Sequence, residues 1–488
     1  NLSPVEIDKS IESLTTITRP TMEKWIPKKE ATSDKHLLLP PHVQRSIALR
    51  RKLKKWLMRE NGKRFKDQSR IADLTLAIRF WSNKIAKDIQ TDISNKTSKY
   101  ISEIKDDSNI FQKINCLTGR KRRSKINAIN TGNQISHNNE EMAEVFASFY
   151  STLYQRQTPG SDPELLQIIE QELEIEGDIR ARTTFNGENS AVSPSDSEFF
   201  TSPEEIKSII KTLNNKKSTG PDDIPNIVIR KLPYIFCKMM AIIINNCLNT
   251  AYFPAKWKEA TIIPIEKKKS AIEVADFRPI SMTNNLSKVL EQVVLINLEM
   301  EQETNPTHQF GFRKGHSTVD ALCLLRDRVA FGLNKKESTL ACFLDISKAF
   351  DSVWVDGLRY KLRTQNLDSH VVKLIGSFLE DREATVLINK HNSRSFKVER
   401  GVPQGTKLGP RLYNIFTADQ PIPFDDNMTV IQYADDTAVL ATEKCPMRAA
   451  GVLQSYLDDL EEYYRKRGIC VKGEKPVILA FKPHKTTT

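Results

Sequence analysis

Hydrophobic residues recur at helical spacing in the first part of this 488-residue chain. Six apolar positions, 71, 74, 78, 81, 85 and 89, are spaced three and four apart and lie on one helix face. A shorter helix containing Leu53 and Trp56 precedes them, and Asn61-Gly62 is a turn signal between the two. The pattern predicts a helical hairpin from residue 41 onward. Its apolar stripe is typical of ordinary packing, although a partner-binding seam has the same spacing.

After residue 200, helical patterns alternate with short β-prone runs. A helix is predicted to begin after Ser202, because Glu205 completes a capping box and Pro203 occupies the first helical position. The β-prone runs are ATIIPI, STLACFLDI, EATVLIN, MTVIQYA, TAVLAT and PVILAFK. This alternation predicts an α+β fold. By contrast, we interpret residues 1–40 as a polar tail or linker, and 131–200 as an acidic, polar linker with some helix.

Positive charge is concentrated in the predicted hairpin. The formal net charge is +12, with 23 Lys/Arg against 8 Asp/Glu in residues 41–130 and 2 against 10 in residues 161–200. The basic region indicates a polyanionic partner, nucleic acid before membrane, although a Lys/Arg-rich helix face is often only solvated. The run GRKRRSK at 119–125 has the composition of a nuclear localisation signal or of a phosphate-binding patch.

Cysteine usage and hydropathy indicate the redox environment of the chain and its relation to membranes. The seven cysteines are scattered and form no CxxC pair, which argues against a disulfide framework or a zinc knuckle and favours a reducing, intracellular environment. No apolar run reaches membrane length and no signal-peptide pattern opens the chain, so we expect no membrane partner. Because the first residue is Asn and not Met, we interpret the chain as a fragment of a longer product.

Two adjacent carboxylates interrupt an apolar, β-prone segment. Asp435 and Asp436 stand in the middle of IQYADDTAVLA, where burying like charges without a partner is costly. Asp345 ends a second apolar run, and the residues from Lys348 to Asp351 suit a helix start. Brought together, the three carboxylates would form a hard-oxygen site for Mg²⁺ or Mn²⁺. Two such ions about 4 Å apart can bind the attacking and the leaving oxygen of a phosphoryl transfer. For any one aspartate alone, a cap or turn is the better interpretation, and only the three together at the ends of β-prone runs favour a metal site.

Two further stretches carry candidate contacts to a ligand. The stretch GVPQGTKLGPRLYNIF, at 401–416, reads as a kinked loop that leads into a helix, with Gln404 inside it. An ordinary Gly/Pro turn has the same composition. Upstream, the KKK run at 267–269 follows a predicted strand and precedes Arg278. These cations would suit a triphosphate, although a lysine run is often only solvated.

Taken in order, these stretches resemble the reverse transcriptases of non-LTR (LINE-type) retrotransposons, in particular the jockey-like branch. The matching blocks are KSTGPDDIPNIVIRKL, FRPISMTNNLSKVLEQ, QFGFRKGHST, FLDISKAFDSVW, GVPQGTKLGP and QYADDTAVLA, within about residues 201–485. The resemblance implies a right-hand polymerase whose fingers and palm span 201–488, with a core at about 246–485. A basic α-helical region at 41–130 would precede it, and the thumb would be missing or truncated.

The resemblance also implies a role for individual residues. Asp345, Asp435 and Asp436 would be catalytic, with Asp345, Asp435 and the main-chain carbonyl of Ile346 binding two Mg²⁺ ions or, in their place, Mn²⁺. Residues of the nucleotide site would be Lys267, Arg278, Phe350, Gln404, Gly405 and Lys475. Phe350 would check the sugar and Lys475 would be a general acid toward pyrophosphate. Around Lys475, GEKP replaces the family's usual Asn-Pro-x-Lys-Thr.

The implied activity is that of an RNA-directed DNA polymerase of a transposable element. Its partners would be template RNA, primer or target DNA, dNTPs, and an endonuclease domain on the same full-length polyprotein. Action on chromosomal DNA places it in the nucleus, with a cytoplasmic ribonucleoprotein as a second location. Two alternatives stay open. An RNA-templated RNA polymerase shares the palm chemistry, although a bulky Phe350 should exclude a ribose 2′-hydroxyl. A decayed or co-opted copy would bind nucleic acid without catalysis.

Overall fold

The computed structural model describes most of the chain from residue 200 onward and several stretches before it. Described are residues 2–25, 40–62, 67–102, 126–132, 134–156, 166–169, 171 and 200–483, the last range without 216–217, 269–270, 302–305, 366, 424 and 473–475. The chain divides into two compact units, one made of residues 1–26 with 126–488 and the other of residues 27–125. None of the described helices combines the length and apolar content that crossing a membrane requires.

A helix replaces part of the predicted N-terminal tail. Helix α1 (Pro4–Trp25) contributes three residues, spaced four and three apart, to the main hydrophobic core of the larger unit: Ile7, Ile11 and Leu14. The prediction of a tail or linker at 1–40 is therefore wrong for this stretch. Three apolar residues at helical spacing are enough to anchor a helix whose other positions are mostly polar. Residues 26–39 lie outside the described residues.

The smaller unit contains the predicted helical hairpin. Helices α2 (Pro41–Asn61) and α3 (Gln68–Ser102) pack against each other. Helix α2 ends at the predicted turn, where the Gly62 N–H donates to the Met58 carbonyl at 3.1 Å. The predicted apolar face of α3 is the side that it buries, with Ile85 only 4% exposed. The basic run GRKRRSK lies outside the described residues.

Residues 126–156 belong to the core of the larger unit and not to a linker. Strands β1 (Ile129–Asn130) and β2 (Ile135–Ser136) form a short antiparallel hairpin, and helix α4 (Asn139–Leu153) follows. Helix α4 buries Met142, Ala143, Phe146, Ala147 and Tyr150. The linker prediction for 131–200 is therefore wrong here, because the acidic composition of the whole range obscured a local helical period. Most of its acidic residues, from 172 to 198, lie outside the described residues.

The rest of the larger unit alternates helices and strands, and the predicted β-prone runs are all strands. Its elements are α5 (Pro203–Thr212), α6 (Asn226–Ile229), α7 (Tyr234–Asn249), α8 (Ala255–Lys258), β3 (Glu259–Glu266), β4 (Phe277–Thr283), α9 (Ser287–Glu301), α10 (Thr318–Asn334), β5 (Ser338–Asp345), α11 (Val355–Thr364), α12 (Ser369–Leu379), β6 (Arg382–Ile388), β7 (His391–Asn392), β8 (Phe396–Val398), α13 (Leu408–Phe416), β9 (Met428–Tyr433), β10 (Asp436–Glu443), α14 (Pro446–Lys466) and β11 (Val477–Phe481). Helix α5 begins with the predicted capping box of Ser202 and Glu205.

The first sheet, sheet A, has the strand order β4-β3-β6-β7, with β8 also paired to β6. Strands β3 and β6 are parallel, and the other pairs are antiparallel. Helix α4 packs on this sheet. Phe146 of α4 meets Phe277 of β4 edge-on, with ring centroids 5.1 Å apart, inside a cluster that includes Ile262 and Val386. Helix α4 therefore forms a layer against sheet A within the larger unit.

The second sheet, sheet B, has the order β11-β5-β10-β9 and is antiparallel throughout. Its side chains alternate between two hydrophobic clusters. Ala438 and Leu440 of β10 face the cluster of α10, whereas Val439 and Ala441 join the main core, to which α14 contributes. Helices cover both faces of β5 and β10, whereas the edge strand β11 is largely exposed. Polar groups of β5 and β10 that must meet a ligand are therefore confined to the ends of these strands.

Candidate active site

Three aspartates meet at one end of sheet B. Strand β5 ends at Asp345 and β10 begins at Asp436, and these two residues are paired directly across the antiparallel register. Asp435 lies in the turn that joins β9 to β10. The register of the sheet therefore brings together the three carboxylate residues that the sequence singled out.

The turn that carries Asp435 is fixed by a glutamine from another part of the chain. The Gln309 side chain accepts from the Ala434 N–H at 2.9 Å and donates to the Ala434 carbonyl at 3.2 Å. Ala434 itself has a φ of +59°, which an L-residue adopts only when its surroundings hold it there. Gly311 packs so closely that an added Cβ would lie 2.1 Å from the Ala434 nitrogen. Gln309 lies in the quoted block QFGFRKGHST, but no sequence argument assigned it this contact.

Burial and mutual repulsion act on the carboxylates. Burial raises the pKa of Asp435, and the charge of Asp345 adds to the rise while Arg278 opposes it. Burial also raises the pKa of Asp436, with further contributions from the charges of Asp435 and Asp345. Oxygen ligands held under like-charge repulsion suit a hard divalent cation, which would relieve that repulsion. The donor chemistry therefore fits Mg²⁺ or Mn²⁺.

Asp345 is paired with a lysine that the sequence did not single out. The Lys472 Nζ lies 2.8 Å from Asp345 Oδ2, and the Lys472 N–H donates to the Asp345 carbonyl at 2.9 Å. Among the described residues, no three His, Cys, Asp or Glu side chains converge closely enough to hold a metal ion. The three aspartates are thus brought near one another without forming a ready cage. Ile346, whose carbonyl is a predicted ligand, directly follows Asp345.

The loop after Gly401 is tied to the segment that follows Asp345. The Gly401 N–H donates to the Val353 carbonyl at 2.9 Å, and the Val402 N–H donates to the Phe350 carbonyl at 2.8 Å. Gly401 has a φ of +79° and packs against the backbone of residues 350 and 351, which leaves no room for a Cβ. The predicted kinked loop is present, and it leads into α13.

Gln404 and Gly405 lie at the tip of this loop, against strand β4. The Gln404 carbonyl accepts from the Ser281 N–H at 2.8 Å, and its Nε2 donates to Asp351 Oδ2 at 2.9 Å. Gly405 has a φ of +126°, and a Cβ there would lie 2.6 Å from the Ser281 carbonyl oxygen. The loop backbone therefore requires glycine at this position.

Phe350 lies in a turn and not at a helix start. Lys348, two residues earlier, has a φ of +51°, which interrupts any helix, and α11 begins only at Val355. The helix start predicted at 348–351 is therefore wrong. The half-buried Phe350 ring stacks on Tyr413, with centroids 5.0 Å apart and planes 15° apart, and meets Phe312 edge-on at 5.7 Å. These two rings fix the orientation of Phe350.

Positive side chains gather on the side of the site toward sheet A. Burial lowers the pKa of Lys267, and the positive charges of Lys348, Arg278 and Lys472 lower it further. Such mutual repulsion among cations marks a place where an anion would be stabilised. The sequence anticipated Lys267 and Arg278 but not Lys348. Lys475 lies outside the described residues.

A separate basic surface belongs to helix α2 of the smaller unit. The helix has seven Lys or Arg residues and one acidic residue, Glu60. Trp56 is 51% exposed, with Lys52 and Lys55 exposed nearby in sequence. An exposed aromatic ring among cations is typical of surfaces that contact nucleic acid, where bases stack and phosphates pair with cations.

Comparison with known proteins finds a family match over the stretch that contains this site. Residues 265–486 match the family model described as reverse transcriptase (RNA-dependent DNA polymerase). The RNA-directed DNA polymerase from mobile element jockey of Drosophila melanogaster is 35% identical over 288 residues, which cover 57% of this chain and 31% of that protein. The probable RNA-directed DNA polymerase from transposon BS of the same species is 33% identical over 363 residues, which cover 72% of this chain and 38% of that protein.

Another jockey polymerase, from Drosophila funebris, is 37% identical over 288 residues, 57% of this chain and 31% of that protein. The chain thus spans about a third of the length of these relatives. Among solved structures, apo telomerase from Candida tropicalis, truncated from its C-terminal domain, matches with a TM-score of 0.35 and 14% identity, over 47% of this chain and 51% of that one. The chain therefore carries a reverse transcriptase domain of the kind found in the RNA-directed DNA polymerases of non-LTR retrotransposons.

Proposed function

We propose that this chain extends a primer 3′-hydroxyl with dNTPs on an RNA template, as the RNA-directed DNA polymerase of a non-LTR retrotransposon. The observation that carries the proposal is the direct pairing of Asp345 with Asp436 across β5 and β10, with Asp435 in the adjoining turn. The family match supports the reaction class. In this reading, sheet B is the palm and sheet A with α4 forms the fingers.

The carboxylates would act together on the phosphoryl transfer. Asp345, Asp435 and the Ile346 carbonyl would hold two Mg²⁺ or Mn²⁺ ions, and Asp436 would support the pair. Bound ions would supply positive charge for the reacting oxygens. The 3′-oxygen would lose its proton to solvent and form a bond to the α-phosphorus. The bond between the α-phosphorus and the oxygen that bridges to the β-phosphate would break, and pyrophosphate would leave with that oxygen. The raised pKa values of Asp435 and Asp436 support this assignment, because a nearby cation would favour both charged forms.

The remaining site residues would bind the incoming nucleotide. Lys267 and Arg278 would contact the triphosphate, since their side chains lie in the cationic group beside the aspartates. Gln404 and Gly405 would line the base and sugar side of the pocket. Phe350 would lie against the sugar, held by Tyr413. The role of Lys475 in donating a proton to pyrophosphate stays a prediction from the family resemblance.

The nucleic acids would be bound largely through electrostatic attraction to basic side chains. Template RNA and primer or target DNA would contact the basic helices of the smaller unit, whose exposed cations and Trp56 support this role. An endonuclease domain on the same polyprotein, action in the nucleus, and a cytoplasmic ribonucleoprotein stay predictions. A catalytically inactive copy that only binds nucleic acid is the alternative function.

Primer extension on an RNA template separates these functions. Wild-type protein should add dNTPs in the presence of Mg²⁺, and Asp435→Ala should not. Asp426→Ala, an exposed aspartate in the turn before β9, is the matched control and should extend normally. Binding without extension by the wild type would support the inactive alternative, and equal extension by Asp435→Ala would remove the assignment of the site.

A further inference from the structure

Helix α4 lies outside the part of the chain that matches the family model, yet its C-terminal cap contacts residues that hold the loop after Gly401, the nucleotide loop. The match covers residues 265–486, whereas α4 spans Asn139–Leu153. Its capping residue, Tyr154, is 5% exposed and projects its hydroxyl onto Asp351. The Tyr154 carbonyl also accepts from the Glu399 N–H at 3.0 Å, two residues before the loop begins. The end of the helix is thus attached to the site by both main chain and side chain.

Asp351 connects this tyrosine to the nucleotide loop. Tyr154 donates to Asp351 Oδ1 at 2.8 Å, and Gln404 Nε2 donates to Asp351 Oδ2 at 2.9 Å. Each carboxylate oxygen therefore has one side-chain donor, and Asp351 is only 3% exposed. An ionised carboxylate only accepts hydrogen bonds, so it selects the orientation of the Gln404 amide in which the nitrogen faces Asp351. The opposite orientation would place two oxygens against each other.

A second contact joins the same helix to the segment before Asp351. The Lys348 Nζ lies 4.9 Å from the centre of the Phe149 ring, a cation–π contact. Lys348 is one of the cations around Lys267, and its backbone is held at positive φ. The Ser352 N–H donates to the Lys348 carbonyl at 2.9 Å, which closes the turn around Asp351. Helix α4 therefore supports two neighbouring parts of the nucleotide site.

We propose that Tyr154 and Asp351 are positioning residues for dNTP binding, which hold the Gln404 amide in the orientation that meets the incoming nucleotide. The proposal rests on the function proposed above. It extends the polymerase active site to a helix that precedes the matched region. Neither residue touches the substrate, and both act through Gln404.

Two tyrosines of the same segment supply a matched pair of variants. Tyr154→Phe removes the hydroxyl that donates to Asp351. Tyr150→Phe removes a hydroxyl that is equally buried and, among the described residues, has no hydrogen-bond partner. Each change deletes one oxygen from a buried ring, so packing and volume are altered alike. Any difference between the variants reports the bond to Asp351.

The experiment measures dNTP kcat and KM on an RNA template with a DNA primer, together with the melting temperature. We expect Tyr154→Phe to raise the dNTP KM by about threefold to tenfold, the effect of one lost hydrogen bond, with kcat nearly unchanged. Tyr150→Phe should leave KM at the wild-type value. Equal dNTP KM values for the two variants would overturn the positioning role. This holds also where both variants lose the same melting temperature, because the rise in KM would then follow from lost stability.

A double variant tests whether the effect passes through Gln404. In a Gln404→Ala background the amide is absent, so adding Tyr154→Phe should cause no further rise in the dNTP KM. An additive rise would mean that Tyr154 acts by another route, and the proposal would be wrong. Failure of the wild-type protein to extend any primer would instead refute the proposed function, and the positioning role with it.

Discussion

Lys472 is bound to Asp345 at the point where the proposed metal ligands meet, with 2.8 Å between the Lys472 Nζ and Asp345 Oδ2. The lysine is anchored by its own backbone, because the segment 470–472 runs alongside residues 345–347. A divalent cation that binds Asp345 must therefore compete with a tethered ammonium group.

Removing that ammonium should strengthen cation binding. Both side chains are more than half exposed, so the ion pair is worth at most about 1 kcal/mol. Lys472→Ala should lower the Mn²⁺ concentration at half-saturation by up to about fivefold, measured by calorimetric titration of Mn²⁺. Lys482→Ala, an exposed lysine just after β11, is the control. An unchanged or weaker affinity in Lys472→Ala would show that the lysine does not compete.

The choice of sugar should depend on Phe350. A displaced ribose 2′-hydroxyl in an apolar contact costs on the order of 1–3 kcal/mol, which corresponds to about tenfold to a hundredfold discrimination. Phe350→Ala should therefore admit ribonucleotides while dNTP incorporation falls only modestly. The contacts with Tyr413 and Phe312 also make Phe350 a packing residue, and pure loss of packing would lower both activities equally. An unchanged ratio of rNTP to dNTP efficiency in Phe350→Ala would show that Phe350 does not select the sugar.

Nucleic-acid binding by the smaller unit should weaken steeply with salt. Lys54→Ala combined with Lys55→Ala removes two exposed cations from α2. The slope of log affinity against log salt should fall by roughly one unit per lost duplex phosphate contact. Lys335→Ala with Lys444→Ala, two exposed lysines of the larger unit, is the charge-matched control. Equal slopes for the two double variants would mean that the basic helices are only solvated.

The dNTP KM should also depend on pH through Asp351. Burial raises the pKa of Asp351 to about 6, while the bonds from Tyr154 and Gln404 and the charges of Lys348 and Lys267 oppose the rise. As pH falls through 6 the carboxylate gains a proton and becomes a poorer acceptor for Gln404, so KM should rise on the acid side. Tyr154→Phe removes one stabilising donor and should move this inflection to higher pH. The same inflection in both proteins would contradict the assignment.

Local pattern was enough to predict the strands that carry the aspartates. The β-prone runs that became β5, β9 and β10 are apolar and bounded by polar residues, and their pairing brings Asp345 beside Asp436. Strand β4 was not predicted by this pattern. Pro279 lies in it, directly opposite Pro264 of β3, and proline in a run usually argues against a strand because it lacks an N–H. Pairing with β3 overrides that preference.

Contacts between distant parts of the chain could not be predicted from the local sequence pattern. Tyr154 and Asp351 are 197 residues apart, and nothing in the sequence around either residue indicates the other. Lys472 likewise meets Asp345 only because the backbone after α14 returns along the end of β5. Such contacts depend on the packing of whole elements, which periodicity and composition do not specify.

Primer extension by conservative aspartate variants is the most direct test of the proposed reaction. Asp345→Asn and Asp435→Asn preserve side-chain size but remove the charge that a divalent cation needs. Each should abolish extension of a primer on an RNA template under Mg²⁺, while RNA affinity, measured in parallel, stays near that of the wild type. Near-normal synthesis by either variant would contradict catalysis by the three aspartates.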